Sequence, residues 1–316
     1  MTGIAVIILN YDALDLTIDC VDSLIEDSLL PKDTRIVVAD NASPSQDMKS
    51  LREAAIERDW GDRVTLVEHS ENRGFSAGNN GAIEVADALF GPSRLYLLLN
   101  PDTRVRTGAV ARLATFLDEN PNAGIAGSRL EDPDGTPQAC AFRFPGVASE
   151  LESTIRVGPF TRLLENWRVA PDMPDRPSRI DWVSGASLMV KREVVEAVGL
   201  LDEAYFLYYE ELDFCLRASK AGFECWHVPE SRVVHLVGQS TNVTKRDAAA
   251  RRRPAYWFHS RRRYFVKHHG QFYALLADLA WLAGQAGFRL RQLASSRSRS
   301  EPRLLTDFMR HSWLKV

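Results

Sequence analysis

Through the first half of the chain, apolar residues fall in short continuous runs. Gly3–Leu9 is the first, and Arg35–Ala39, Val64–Val67 and Arg94–Leu99 repeat the pattern. Between them the apolar positions recur at helical spacing. Leu14, Ile18, Val21, Leu24 and Ile25 mark a helix within Leu14–Ser28, and Asp47–Arg58, Ala82–Phe90 and Ala109–Glu119 read as further helices. Strands that are apolar on both faces, alternating with helices, predict an α/β fold: a mostly parallel central sheet flanked by helices. In such sheets ligands bind beyond the carboxyl ends of the strands. Polar residues cluster there: Asn10 after the first strand, Asp40 and Asn41 after the second, Asn100 and Asp102 after the fourth.

From Gly135 to Arg179 the periodicity breaks, with Pro137, Pro145, Pro159, Pro171, Pro174 and Pro177 in irregular sequence that suits a substrate-facing segment. Regular structure returns with Asp181–Lys191, a helix at Arg192–Val198 and an acidic helix from Glu210. Phe223–His227 and Arg232–His235 read as short strands. After Arg251 the composition shifts to arginine, aromatics and leucine in two or three helices, so 1–250 is expected as one domain and 251–316 as a basic, aromatic-rich C-terminal helical region. Ser295–Ser300 is a low-complexity tract.

The net charge of −3 hides an asymmetry: residues 251–316 carry a balance of +11 and the remainder −14. A basic tail on an acidic body points to an anionic partner or to the body itself. Cys20, Cys140, Cys215 and Cys225 show no metal or disulfide spacing, which favours a reduced, cytoplasmic interior. No stretch approaches the roughly 20 apolar residues needed to cross a bilayer.

Two strings carry the candidate chemistry. Tyr96–Thr103 is an apolar strand running onto a turn that bears Asp102, and Leu207–Arg217 places Glu210, Glu211 and Asp213 at a helix start. Carboxylates at a strand end and at a helix start suit a cleft holding a metal and a proton acceptor, although acids also stabilise a helix N-terminus through its dipole. The helical pattern buries Leu212, Cys215, Leu216 and Ser219, leaves Glu210 and Asp213 on another face, and sets Glu211 at the border. A dinucleotide-binding fold would need glycines straight after the first strand, where Asn10-Tyr11 has none. The Gly-rich segment Glu71–Gly81 follows the third strand instead. It reads equally as a cradle in which Ser76 or Asn79 bonds ribose or phosphate, and as a capped helix start with a tight turn.

The order Asn10-Tyr11, Val37–Asn41, Asn72–Asn80, Asn100-Pro101-Asp102, Gly185–Met189 and Tyr209–Asp213 resembles the rhamnosyltransferase branch of the family-two inverting glycosyltransferases, over about Ile4 to Gly270. That resemblance implies a GT-A fold and inverting transfer from a nucleotide-diphospho-sugar donor. It implies a nucleotide-sugar site drawing on Asn10, Asp40, Asn41, Asn72, Gly74, Ser76, Asn79, Asn80, Asn100 and Gly185. It further implies a divalent metal, Mn²⁺ or Mg²⁺, on Asp102 with His235, and Glu211 as catalytic base beside Glu210 and Asp213. Asn100 stands where an Asp is common in the family. L-rhamnose from dTDP-L-rhamnose is the expected sugar, and a lipid-linked glycan or polysaccharide the expected acceptor. The alternatives are a UDP- or GDP-sugar donor, and a sugar-nucleotide-binding protein without catalysis. A nucleotidyltransferase would carry a basic Gly-rich loop where Asn10-Tyr11 stands.

In the tail, basic and aromatic residues interleave from Arg251 to His269 without any RNA-binding signature, so nucleic acid is not the expected partner. Tyr273–Leu293, with Leu275, Leu276, Leu279, Trp281 and Leu282 followed by Arg289 and Arg291, has the profile of a helix lying in a membrane interface. That predicts peripheral contact with an anionic membrane at the inner face of the cell membrane. A helix pair packed on the catalytic domain, or in a homodimer, is the other expectation.

Overall fold

The computed structural model describes residues 2–155, 164–236, 252–294 and 303–313. Pro159, the Ser295–Ser300 tract and the expected domain boundary at residues 250–251 lie outside them. The chain divides into two compact units, one of Met1–Phe142, Asp172–Phe206 and Glu210–Thr244, the other of Arg143–Pro171, Leu207–Tyr209 and Lys245–Val316.

The first unit is built on one large sheet. β1 (Thr2–Asn10) lies between β2 (Thr34–Asp40) and β4 (Ser93–Leu99), parallel to both, with β3 (Val64–Glu68) parallel beyond β2. β10 (Ser187–Lys191) then runs antiparallel between β4 and β6 (Ala123–Glu131). β11 (Glu224–His235) pairs parallel with β6 and antiparallel with β5 (Thr103–Val105) and β8 (Ser178–Ile180). A two-stranded sheet of β7 (Ala141–Phe142) and β9 (Trp182–Val183) adjoins it in the sequence.

One face of the sheet presents Ile4, Val6 and Ile8 of β1, Ile36 and Val38 of β2, and Leu95, Leu97 and Leu99 of β4. All are buried in one core with Val21 and Leu24 of α1 (Leu14–Ile25), Leu51 of α2 (Asp47–Glu57), and Val110, Leu113 and Leu117 of α4 (Ala109–Glu119). Fully burying one such side chain contributes about 1.5–3 kcal/mol. On the other face lies α3 (Phe75–Phe90), which begins seven residues before the expected Ala82. Its close approach explains two of the glycines: a Cβ at Gly78 would come within 2.7 Å of Leu9, and one at Gly81 within 2.9 Å of His69. The apolar periodicity starts at Ala82 only because small residues fill the helix positions nearest the sheet.

Three further elements differ from expectation. β6 reads poorly as a strand because Gly124, Gly127 and Ser128 interrupt it, although eight of its nine residues are buried. The two short strands expected at Phe223–His227 and Arg232–His235 are one strand, β11, with a register shift between Val228 and Arg232. Helix α5 (Val147–Ile155) forms inside the segment expected to be irregular.

In the second unit, α5 packs on α8 (Ala255–Ala294), which Gly270 kinks at φ 83°. Arg261 is fully buried between Glu150 (2.8 Å) and Asp278 (2.5 Å), while Arg262 reaches Asp278 at 3.1 Å and Arg252 reaches Asp307 at 2.6 Å. Part of the basic excess is thus compensated internally, and charges this deeply buried require such partners. Trp281, expected on an open apolar face, is instead buried against Phe308 of α9 (Leu304–Phe308), their rings 4.1 Å apart. The exposed face of the second arm of α8 carries Phe272, Leu275, Leu276, Leu279, Ala283, Ala286 and Leu290. Asp278 is the sole acidic residue of α8. Among the described residues, no helix is long and apolar enough to cross a membrane.

Candidate active site

The sequence-predicted residues gather along the edge of the sheet where β1, β2 and β4 end. Register pairs Asn10 with Asp40, and the Asn41 N–H donates to the Asn10 carbonyl at 2.9 Å. Asn10 is completely buried. Its Nδ2 reaches Asp40 Oδ1 (2.7 Å), Asp47 Oδ2 (2.9 Å) and Ser43 Oγ (3.2 Å), and its Oδ1 accepts from Thr17 (2.8 Å). Asn10 therefore braces the site from beneath, with every amide atom engaged. Asp40 also accepts from the Ser43 hydroxyl (2.5 Å) and N–H (3.1 Å), which fixes its carboxylate at the rim.

The Gly-rich segment opens α3, with Gly74 at its N-cap. Asn72 Oδ1 accepts from the Gly74 N–H (2.9 Å) and from Asn41 Nδ2 (2.9 Å). The Phe75 N–H donates to the Phe206 carbonyl at 2.7 Å, the Ser76 hydroxyl to the Tyr205 carbonyl at 2.9 Å, and Asn80 Nδ2 to the Leu201 carbonyl at 2.9 Å. Asn79 donates to Phe75 O within the helix (2.8 Å). Ser76 and Asn80 fasten the segment Leu201–Phe206 to the start of α3. That segment leads into the acidic helix.

The pairing of β5 with β11 sets Thr103 opposite His235, and His235 Nε2 lies 3.5 Å from Asp102 Oδ1. Asp102 is 2% exposed. Two ligand atoms at right angles on an ion with bonds of about 2.1 Å sit roughly 3 Å apart, so a carboxylate oxygen and an imidazole nitrogen at this separation fit one divalent cation. Asn100 Oδ1 is buried without a hydrogen-bond partner among the described residues, a third candidate ligand atom of suitable type. Among those residues no three His, Cys, Asp or Glu side chains form a metal-holding group. Behind His235, Nδ1 donates to Gln138 Oε1 at 3.2 Å, and Gln138 Nε2 donates to the His235 carbonyl at 2.8 Å. Sequence reasoning passed over Gln138 because it lies in Pro-rich, aperiodic sequence with no motif around it.

α7 (Glu210–Lys220) carries the acids. The expected faces are corrected here. Glu210 and Asp213 are buried, Ser219 is exposed, and Glu211 is the more accessible glutamate. Asp213 accepts from Tyr205 OH (3.2 Å) and Arg217 Nε (2.8 Å), and Arg217 in turn donates to the Leu200 carbonyl at 2.8 Å, so Asp213 is a bracing residue with both oxygens engaged. Burial pushes the Glu211 carboxyl up, against a hydrogen bond from the Gly185 backbone that lowers it. Burial, and then the neighbouring Glu211, pushes Glu210 well above the usual range. One oxygen of each glutamate, Oε2, has no hydrogen-bond partner among the described residues. A Cβ at Gly185 would lie 3.8 Å from Glu211, and the Ala186 carbonyl next to it accepts from the Asn100 N–H at 3.1 Å. Gly185 and Ala186 thus link the base candidate to the turn bearing Asp102. Just before Glu210, Tyr208 and Tyr209 both hold left-handed φ values, 69° and 72°. Such strain costs on the order of 1–3 kcal/mol per residue and clusters at functional sites.

Residues 5–141 match the family model Glycosyl transferase family 2. N-acetylglucosaminyl-diphospho-decaprenol L-rhamnosyltransferase of Mycobacterium tuberculosis is 28% identical over 254 residues, 77% of this chain and 74% of its own. dTDP-rhamnosyl transferase RfbF of Shigella flexneri is 26% identical over 182 residues, 57% and 54% of the two chains. Among solved structures, the mannosyltransferase PcManGT from Pyrobaculum calidifontis in complex with GDP-Man and Mn²⁺ superimposes with a TM-score of 0.57 at 18% identity, over 96% of this chain and 77% of that one. GalNAc-T7 with UDP, GalNAc and Mn²⁺ gives 0.54 at 16% identity, over 74% and 44%. Strand-end acids, an acidic helix and these similarities agree: residues 5–141 match glycosyl transferase family 2, the fold is that of the GT-A enzymes, and the chain is a glycosyltransferase similar to rhamnosyltransferases that use a sugar-nucleotide donor.

Proposed function

We propose that this enzyme transfers L-rhamnose from dTDP-L-rhamnose, with inversion, to a lipid-linked or growing polysaccharide acceptor in cell-wall or surface-polysaccharide synthesis. The observation that carries the reading is Glu211: one carboxylate held by a backbone N–H from Gly185, its other oxygen unpartnered, its basicity raised by burial. An acceptor hydroxyl gives its proton to Glu211 as its oxygen bonds the anomeric carbon, and the bond from that carbon to the diphosphate breaks on the opposite face. Asp102 and His235, with Asn100 Oδ1, would hold a divalent cation, Mn²⁺ or Mg²⁺. When bound, that cation supplies charge stabilisation to the departing diphosphate. Asp40 and Asn41 bound the donor side of the site, and the brace of Asn10, Asn72, Gly74 and Asn80 keeps that rim and the base helix in place. Burial, and then the neighbouring Glu211, hold the Glu210 carboxyl well above the usual range, which favours its protonated form and a single anionic base in the pair.

On the acceptor side we propose peripheral contact with an anionic membrane at the cytoplasmic leaflet. The relative from M. tuberculosis is named for a diphospho-decaprenol substrate, and the exposed face of the second arm of α8 is apolar over five turns. The test of the transfer reaction is a screen of dTDP-, UDP- and GDP-sugars for donor hydrolysis, followed by NMR of the product's anomeric configuration. Turnover of dTDP-L-rhamnose with inversion is expected. Preference for a UDP- or GDP-sugar would replace the donor assignment.

A further inference from the structure

Gln138 sits at the end of a turn that the protein holds unusually firmly. Glu131, fully buried, gathers Arg232 (2.8 Å), Arg106 (3.1 Å) and Arg129 (3.7 Å). Burial would raise its carboxyl, but the hydrogen bonds from Arg232 and Arg106 outweigh this and hold it below the usual range. The same arginines reach over the turn that follows: Arg106 donates to the Pro133 carbonyl (3.2 Å) and Arg129 to the Gly135 carbonyl (2.9 Å). Backbone bonds from Asp132 N to Thr136 O and from Gln138 N to Leu130 O, both 2.8 Å, close it. Gln138 is therefore delivered to His235 from a fixed frame, 6% exposed.

Its amide can adopt only one orientation. Gln138 Nε2 faces two groups that can only accept, Asp132 Oδ1 at 2.7 Å and the His235 carbonyl at 2.8 Å, so the NH₂ must lie on that side and the oxygen must face His235 Nδ1. An amide oxygen cannot donate; hence Nδ1 carries the ring proton. In the neutral ring the lone pair then belongs to Nε2, the atom 3.5 Å from Asp102.

Resting on the metal role proposed above for Asp102 and His235, we infer that Gln138 is a positioning residue that fixes the His235 tautomer and aims the bare Nε2 at the divalent cation. A histidine ligand held through its other nitrogen is a better-oriented and more basic donor, and losing such a partner weakens metal affinity about 10–100-fold. Asp132 acts one step further out, by holding the amide against a flip.

The test uses the full chain labelled with ¹⁵N and free of metal. Long-range ¹H–¹⁵N NMR, with His235 assigned by the loss of its signals in His235→Ala, is expected to report protonated Nδ1 and bare Nε2. In Gln138→Met the Nε2 signal should gain proton occupancy. Mn²⁺ titrated into the dTDP-bound protein and followed by EPR should bind about 10–100-fold more weakly in Gln138→Met, with circular dichroism unchanged. The charge-conserving exchange Asp132→Asn with Gln138→Glu returns an oxygen to Nδ1 and should recover most of that affinity. A protonated Nε2 in the unaltered protein overturns the inference, and so does undiminished Mn²⁺ affinity in Gln138→Met or a failure of the exchange to rescue it. If Asp102→Ala also leaves Mn²⁺ binding intact, the metal site itself is wrong. If only Gln138→Met does, the error lies with Gln138 alone.

Discussion

His235 Nε2 and Asp102 Oδ1 lie 3.5 Å apart although one ends β11 and the other sits on the turn after β4. The short strand β5 makes this so. It leaves the Asp102 turn at Thr103 and pairs with β11 at His235, and the Leu236 N–H closes the corner on the Asp102 carbonyl at 2.8 Å. Excess chelator should abolish transfer. Asp102→Ala should weaken nucleotide affinity with Mn²⁺ or Mg²⁺ present and leave it unchanged without metal. Calorimetry with and without metal reads both, and full activity in EDTA would refute the metal-dependent mechanism.

Glu211→Gln removes the proton acceptor and little else, since the amide keeps the shape of the carboxylate. Turnover should fall about 10²–10⁴-fold. Nucleotide binding, measured by calorimetry, should stay within a factor of two or so of the parent. Near-normal turnover in a variant that still binds nucleotide would remove Glu211 from the mechanism.

Much of this was legible in the sequence. β1, β2 and β4 are apolar on both faces, and only a sheet covered on both sides buries them, so the positions of Asn10, Asp40 and Asp102 beyond their ends followed directly. Side-chain duties were less legible. Asn80 and Ser76 belong to a polar string that suits a ligand, yet their partners are carbonyls of Leu201 and Tyr205, far away in the chain. Asp213 looked exposed from helical periodicity because Arg217, one turn on, is the partner that permits its burial. β6 was missed because its small residues carry no strand signal; a Cβ at Gly127 would come within 2.5 Å of Val183. Close approach of neighbouring elements, not intrinsic propensity, chose those residues.

Gly74 shows the same logic in testable form. Its φ is 94°, and a Cβ there would lie 2.4 Å from the Phe206 carbonyl oxygen. Gly74→Ala should therefore destabilise the fold by at least about 1–3 kcal/mol and loosen the segment leading to Glu210. A lowered thermal midpoint with a raised KM for the donor is expected. An unchanged midpoint would mean that this contact yields freely.

Glu210 ties stability to pH. Its folded-state carboxyl is pushed above the usual range, by burial first and by Glu211 second, so the native state favours the protonated form. Its contribution is intact below the unfolded value of about 4.3 and is lost as pH rises through the folded value. Glu210→Gln, which cannot ionise, should melt above the parent at pH 8, with the difference shrinking towards nil near pH 4. A difference independent of pH would show that Glu210 does not titrate with folding.

The second arm of α8 offers a face on which Phe272 is 75% exposed and Leu290 69%, with Leu276 and Leu279 between them. Arg263, Lys267 and Arg289 of the same helix are exposed, and its sole acid, Asp278, is buried against Arg261. An anionic bilayer would receive these apolar side chains together with Arg289 near the end of the same arm. Each basic residue near such a surface contributes about 1 kcal/mol, and each buried leucine about 1.5–3 kcal/mol. Leu276→Gln with Leu279→Gln should therefore cut binding to anionic vesicles at least about tenfold in co-sedimentation, leaving soluble-donor hydrolysis unchanged. High salt should weaken the binding further, since exposed charges are screened beyond roughly 8 Å at physiological ionic strength. Binding that ignores lipid charge, or a particle mass by light scattering that halves in the double variant, would make this face a seam between subunits.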